Sequence, residues 1–256
     1  MHVHPDPDEL GRVYQPTLAL LSGVAEFAAA APVVDGTRWA EWTATARADY
    51  EAHLRHRPAP GEGVDLGDVI AHLREALPDD AILTNGAGNF SGWVARHYQW
   101  RRFGTQLGPQ SGAMGYGIPA ALAAQLLHPD RVVIAFAGDG DFQMCGQELA
   151  TAVQEELPIL VIVVNNGTYG TIRMHQERRF PARVIATDLV NPDFAALARA
   201  YGAHGERVED AADFPAALER ARAAGRPALI ELVTDAEALT PGQSLSEIRG
   251  ETTAVR

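Results

Sequence analysis

Cysteine is almost absent: Cys145 is the only one in 256 residues, so no internal disulfide can form. That suits a reducing cytoplasm, and the lone thiol is expected as a small buried hydrophobe on a helix. Positive charge is short as well. Lys and Arg number 21 against 33 Asp and Glu, giving a formal net charge of −12. This disfavours nucleic acid or an anionic membrane surface as partner. No apolar run reaches the roughly 18 residues that a membrane span needs. The opening MHVHPDPDEL has neither the basic nor the apolar region of a secretory signal. Internal repeats and low-complexity tracts are missing. His2 and His4 alternate as in a strand and read as structural, not as a metal pair. What remains is ordinary globular composition, 46% hydrophobic and 21% charged.

The most informative stretch runs from Arg131 to Thr171. An apolar run, Val132 to Phe136, ends in Gly138-Asp139-Gly140. A helical segment is expected from about Asp141 to Glu155. A second apolar run, Ile159 to Val164, ends in Asn165-Asn166. Continuous Val/Ile runs read as strands buried on both faces. Strand, helix, strand makes a right-handed βαβ unit. Asp139 and Asn166 then both lie just past the C-terminal ends of parallel strands about 4.8 Å apart if adjacent, where open α/β sheets bind ligands. A carboxylate, an amide oxygen and a backbone carbonyl from the loop Gly167-Thr168-Tyr169 are hard oxygen donors, suited to Mg²⁺ or Ca²⁺. Gly140 permits close backbone approach, and the N–H groups opening the helix at Asp141 and Phe142 favour a diphosphate. The residues alone therefore suggest a metal-bridged diphosphate site.

The motifs GDG and NN at this spacing, with GDGDFQM, ELATA and NNGTYGTIRMHQE around them, resemble the thiamine diphosphate-dependent enzymes, in particular the acetolactate synthase and benzoylformate decarboxylase branch. The resemblance implies an α/β fold: a doubly wound, mostly parallel sheet of about six strands with helices on both faces. It implies that Asp139, Asn166 and the Thr168 carbonyl hold Mg²⁺. Gly138, Gly140, Asp141, Tyr169 and Gly170 would border the bound thiamine diphosphate. In GPQSGAMGYGIPAALAAQ, it implies that the Gly112 carbonyl accepts from the cofactor's 4′-amino group and that Met114 props its two rings into a bent V.

The other segments fill in around that unit. Residues 1–34 resemble the close of a preceding central domain, and 35–64 hold an amphipathic helix from about Thr37 to Arg55 and the linker HRPAPGEGV. The cofactor domain is expected over 65–256, with a C-terminal tail from about Thr240 that wraps neighbouring structure or stays mobile. A helix from Asp65 to Leu77 and a strand from Ala81 to Thr84 lead to the loop Asn85 to Trp93, followed by a helix from about Ser91 to Tyr98. The loop also mimics a dinucleotide fingerprint, weakly. In acetolactate synthases this polar loop touches the diphosphate and carries a Gln and a His, which fall about on Asn89 and Phe90; Phe90 departs from that pattern, which leaves cofactor contact to Asn89 or to backbone N–H groups. Met174, His175 and Gln176 are candidates to border the substrate channel, with His175 a possible acid or base. Helix 191–201 and an αβ tail ending near Val233 finish the sheet.

The family's activating glutamate belongs to a pyrimidine-binding domain, and no glutamate here sits in a matching motif. The expected partners are a small 2-oxo acid, a pyrimidine-binding domain in a missing N-terminal part or a partner chain, and a second copy of this chain in a homo-oligomer. Three readings stand: the cofactor half of an acetolactate synthase-like carboligase, the same half of a benzoylformate-type decarboxylase, or a non-catalytic fragment that keeps only the fold.

Overall fold

A computed structural model describes residues 1–254. The chain divides into two compact units, Met1–His53 and a second from Leu54 onward. In the first, strand β1 (His2–His4) pairs in parallel with β2 (Ala19–Leu21), with Val3 beside Leu20. Helices α1 (Val24–Ala30) and α2 (Ala40–His53) come next. The expected amphipathic helix starts three residues late and buries no residue. Its large apolar side chains, Trp42 and Tyr50, are exposed, so it has no apolar stripe to bury.

The second unit begins before the expected linker boundary, because the linker is hydrogen-bonded to the α/β domain itself. The Ala59 N–H donates to Asp65 Oδ2 at 2.7 Å, Glu62 N–H to Asp235 Oδ2 at 3.0 Å, and Val64 N–H to the Val233 carbonyl at 2.8 Å. Asp65 also caps helix α3 (Leu66–Ala76) by accepting from the Gly67 N–H. The elements then run β3 (Ile82–Asn85), α4 (Ser91–His97), β4 (Gln106–Leu107), α5 (Gly117–Leu127), β5 (Val133–Gly138), α6 (Asp139–Phe142), α7 (Glu148–Gln154), β6 (Leu160–Asn165), α8 (Gly170–Arg179), α9 (Phe194–Ala200), β7 (His204–Val208), α10 (Phe214–Ala223), β8 (Ala228–Val233) and α11 (Leu245–Ala254).

Six strands form one parallel sheet in the order β4-β3-β5-β6-β8-β7, so the doubly wound α/β architecture is as expected. Side chains alternate between its faces. Ile134, Phe136 and Ile162 pack with α3, α4 and α10 on one side. Val133, Ala135, Val161 and Val163 pack with Ile118, Leu149 and Phe194 on the other. Both faces are covered, which is why the strands read as unbroken apolar runs. Each fully buried Ile or Phe stabilises the fold by about 1.5–3 kcal/mol.

Two expectations are corrected. The crossover between β5 and β6 is not one helix: it breaks after Phe142 and resumes at Glu148. The Phe142 ring lies where a Gly146 Cβ would be, 2.5 Å from Cε1, so the chain folds over the ring instead of continuing the helix. Cys145 consequently sits in the turn, not on a helix; it is buried, and burial pushes its thiol up to about 11. The tail after Thr240 wraps neighbouring structure: Leu245 and Ile248 of α11 join Leu239 and Met174 of α8 in a third apolar cluster.

Candidate cofactor site

Strands β5 and β6 are direct neighbours, with Gly138 beside Val164. Both chains therefore leave the sheet at the same level, and Asp139 and Asn166 line one cleft of about 720 Å³, part of it open to solvent. Gly138, Gly140, Asp141, Thr168, Tyr169 and Gly170 line it too, as do Asn89 and Met114. Helix α6 opens at Asp139, two residues earlier than the sequence suggests, so the amides at its start belong to the Gly138–Asp141 turn.

Asp139 is 3% exposed, and no cationic side chain pairs with it among the described residues. Its Oδ1 accepts from the Gly140 N–H at 2.9 Å and its Oδ2 from Asn191 Nδ2 at 2.7 Å. Burial outweighs these donors and raises its pKa above the usual carboxylate range. Asn166 Oδ1 accepts from the Thr168 N–H at 3.2 Å, while the Thr168 carbonyl accepts from the Gly170 N–H at 2.8 Å. Each oxygen keeps a lone pair for a further partner. Gly140 has no Cβ where the Tyr169 ring sits, 2.4 Å from the position a Cβ would take. The first asparagine of the pair, Asn165, turns its amide nitrogen to Glu231, donating to Oε1 at 2.7 Å.

Asn191 was not legible as a site residue. It comes 52 residues after Asp139 and reaches the site through tertiary structure alone. The NPD that precedes α9 signals a helix start but not that reach.

Asp141 is also 3% exposed. Its Oδ1 accepts from the Gly115 N–H at 2.6 Å, tying the loop that carries Met114 to α6. Its Oδ2 fills the space where a Gly86 Cβ would stand. Burial pushes this carboxyl up to about 6 despite its N–H donors. Asn89 holds the opposite wall, accepting from Thr171 Oγ1 at 2.9 Å and lying 3.6 Å from Met174 Sδ. Phe90, where the resemblance expected a hydrogen-bonding side chain, packs its ring against Gly138 and lines the cleft as an apolar wall.

Gly112 is apart from this group. It lies at φ +67° in a neighbouring hollow with Asn85, Gln106 and Pro109, which shares Ala87, Gly88, Asn89 and Thr171 with the first. His175 is exposed and does not line the cleft. Gln176 spends its amide on Ile185, donating to its carbonyl at 3.0 Å and accepting from its N–H at 2.9 Å. Met174 is buried beneath α11. These three therefore do not gather at the cleft. His56, Asp65 and Asp68 do come together elsewhere, but Asp65 already accepts from Gly67 and Ala59, so the trio reads as a helix cap.

Residues 86–232 match the family described as thiamine pyrophosphate enzyme, C-terminal TPP binding domain. The chain is 30% identical over 258 residues to the acetolactate synthase isozyme 2 large subunit of Escherichia coli K12, covering 97% of this chain and 46% of that protein. It is 34% identical over 212 residues to the acetolactate synthase of Mycobacterium leprae, covering 80% and 34%. A solved structure, the thiamine diphosphate-dependent 4-hydroxybenzoylformate decarboxylase of Rhodococcus jostii RHA1, aligns with a TM-score of 0.74 at 30% identity, over 91% of this chain and 43% of that one. The chain thus spans less than half the length of these relatives. The matched region holds both strand ends, the GDG turn and the NN loop, and on that ground the chain belongs to the thiamine pyrophosphate enzymes, whose C-terminal cofactor-binding domain it carries.

Proposed function

We propose that this chain forms the diphosphate-holding half of the active site of an acetolactate synthase-like enzyme, which decarboxylates a small 2-oxo acid and joins the remainder to a second one. One observation carries the reading. The cleft is lined by two buried aspartates and, among the described residues, by no Lys, Arg or His. A diphosphate in such a cleft needs positive charge that the side chains do not offer, and a divalent cation supplies it. Asp139, Asn166 and the Thr168 carbonyl fit that cation: one buried anion lacking an ionic partner, flanked by two neutral oxygen donors on the adjacent loop. We assign Mg²⁺ to them.

Thiamine diphosphate, when bound, supplies a nucleophilic ring carbon and an electron sink for the decarboxylation. The chain's own residues bind and orient. The backbone of the Gly138–Asp141 turn and of the Ala87–Asn89 loop forms part of the cleft wall, where N–H groups other than those already donating to Asp139 and Asp141 can meet a diphosphate. Met114 lines the cleft on a loop tied to α6 by the Asp141–Gly115 hydrogen bond, and its soft side chain suits the ring support assigned to it here. Phe90 and Trp93, both buried, give the cleft an apolar wall. No glutamate lines the cleft among the described residues, so the proton-activating carboxylate is assigned to a pyrimidine-binding region outside these residues, on the same polypeptide or a partner. A single buried thiol suits a reducing cytoplasm.

Calorimetric titration of the chain with thiamine diphosphate in Mg²⁺ tests this. Saturable binding lost in Asp139→Ala is the expected outcome; a folded parent that binds nothing overturns the proposal. A second reading, a decarboxylase of benzoylformate type, is favoured by the solved structural relative. Product analysis of an assembled enzyme given pyruvate separates them: acetolactate supports the first, an aldehyde alone the second.

A further inference from the structure

We propose that Asn191 is the positioning residue of the metal-facing carboxylate, fixing the Asp139 side chain by one end of a polar chain that starts at Glu231. The inference rests on the Mg²⁺ site proposed above and names a residue that acts on it without touching the ion.

The hydrogen-bond directions along the chain are forced. Glu231 is fully buried on β8, and its Oε1 receives Asn165 Nδ2 at 2.7 Å and Arg207 at 3.4 Å. A carboxylate can only accept, so the Asn165 amide must present its NH₂ to Glu231 and its oxygen to the other side. That oxygen accepts from the Gly167 N–H at 3.2 Å and from Asn191 Nδ2 at 2.9 Å. The Asn191 NH₂ has two protons. One goes to Asn165 and the other to Asp139 Oδ2, at 2.7 Å. A flipped Asn191 would set its oxygen against both acceptors. Gln143 Nε2, donating to Asn191 Oδ1 at 2.9 Å, holds the amide in the same sense.

The backbone delivers Asn191 already oriented. Leu189 N–H donates to the Gly167 carbonyl and Tyr169 N–H to the Thr187 carbonyl, both at 2.8 Å, so the chain entering Asn191 runs alongside the cation loop. On the other side, Asp193 caps α9, accepting from the Ala196 N–H at 2.7 Å. One amide thus joins the end of β5, through Asp139, to the end of β6, through Asn165. The consequence is a carboxylate with Oδ1 held by Gly140 and Oδ2 by Asn191, and no freedom to turn away from the cleft. Residues of this kind, one shell outside a metal, change its affinity by about 10–100-fold when removed.

The test is calorimetric titration of the parent chain, Asn191→Ala, Gln143→Ala and Asp139→Ala, with Mg²⁺ at fixed thiamine diphosphate and with thiamine diphosphate at saturating Mg²⁺. For Asn191→Ala the expected result is a Mg²⁺ dissociation constant raised about 10–100-fold, with thiamine diphosphate affinity returning to the parent value at saturating Mg²⁺. A merely structural defect would not be rescued by the ion, and an unrescued loss overturns the proposal. Gln143 is exposed, so Gln143→Ala leaves the fold intact; a smaller rise in the same direction is expected, and this variant decides the matter if Asn191→Ala does not fold. Both variants binding Mg²⁺ within twofold of the parent, while Asp139→Ala abolishes binding, overturns the role of Asn191 and leaves the cofactor site standing. A parent that binds no thiamine diphosphate removes the site itself.

Discussion

Gly117 opens α5 at the point where this helix meets the ends of β3 and β5, and replacing it by alanine tests the packing beneath the cofactor loop. A Cβ there would lie 2.8 Å from the Gly86 nitrogen and 3.0 Å from both the Asn85 carbonyl carbon and the Phe136 oxygen. All three are backbone atoms, so no rotamer change relieves the contact. Thr84 Oγ1 donates to the Gly117 carbonyl at 2.7 Å, and the Gly86 N–H donates to the Phe136 carbonyl at 3.1 Å, which ties helix and strands together. Restoring ordinary contact distance moves α5 or the 86–88 loop by several tenths of an ångström. Overpacking of that kind costs about 1–3 kcal/mol. Against it stands the gain of alanine over glycine in a helix, at most about 1 kcal/mol and less in a first turn. The overpacking wins, and the expected net loss is about 1–2 kcal/mol, or roughly 2–8 °C in melting temperature for a unit of this size. Gly250 in α11 is the internal control. Nothing lies within 4 Å of a Cβ built there, so Gly250→Ala is expected to stabilise, by about 0.5–1 kcal/mol. Urea denaturation with unchanged slope reads both. A Gly117→Ala chain as stable as the parent refutes the reasoning, because backbone contact under 3 Å would then carry no penalty.

Two other predictions concern the periphery of the site. Glu177 on α8 is 1% exposed and pairs with Arg249 of α11 at 2.6 Å; that guanidinium holds its carboxyl below the usual range. A depressed carboxylate pKa stabilises above the unfolded value near 4.5 and loses that contribution as pH falls through the lower folded value. Glu177→Gln should therefore weaken the docking of α11 by roughly 1.5–3 kcal/mol at pH 7, as for a hydrogen bond to a charged group, and by progressively less as pH falls below the unfolded value near 4.5 and through the lower folded value; hydrogen exchange along α11 over a descending pH series measures it, and a pH-independent difference counts against the ion pair. The second concerns assembly. Tyr116 and Met144 stand 38% and 52% exposed beside the Gly112–Gly115 loop, so we expect the chain to associate with itself or with a pyrimidine-binding partner. Light scattering at high concentration should exceed the mass of one chain, and a strictly monomeric species argues against it.

The sequence made the βαβ centre legible because both faces of β5 and β6 are covered, which forces an almost unbroken apolar run along each. It made the two strand ends that line the cleft legible because GDG and NN are short-range turn chemistry. What it hid was anything decided between distant elements. The break after Phe142 depends on a ring folding over Gly146, and helix periodicity does not register it. The edge strand β4 has two residues, Gln106 and Leu107, too few to show a pattern. Met174 reads as a channel residue until α11 is known to cover it, and Gln176 until its amide is found on Ile185. Asn191 is the clearest case: an asparagine before a helix has a complete local explanation, and only the fold adds the second one.

The site also explains why two acids are left buried without counter-charge. Asp139 and Asp141 both have raised pKa values from burial, so each makes the unliganded fold less stable than a neutral side chain would. Their duties differ. Asp141 spends Oδ1 on Gly115 and its other oxygen against Gly86, and so braces the Met114 loop. Asp139 is braced by others and lines the cleft. A ligand that binds only the folded state at 100 times its dissociation constant returns about 2.7 kcal/mol. With the proposed cation in place, a divalent ion and its diphosphate would therefore offset the strain of Asp139, while a bare diphosphate, meeting two carboxylates and no cationic side chain among the described residues, would add to it. Cation and diphosphate must therefore stabilise this half together, and neither is expected to bind well alone.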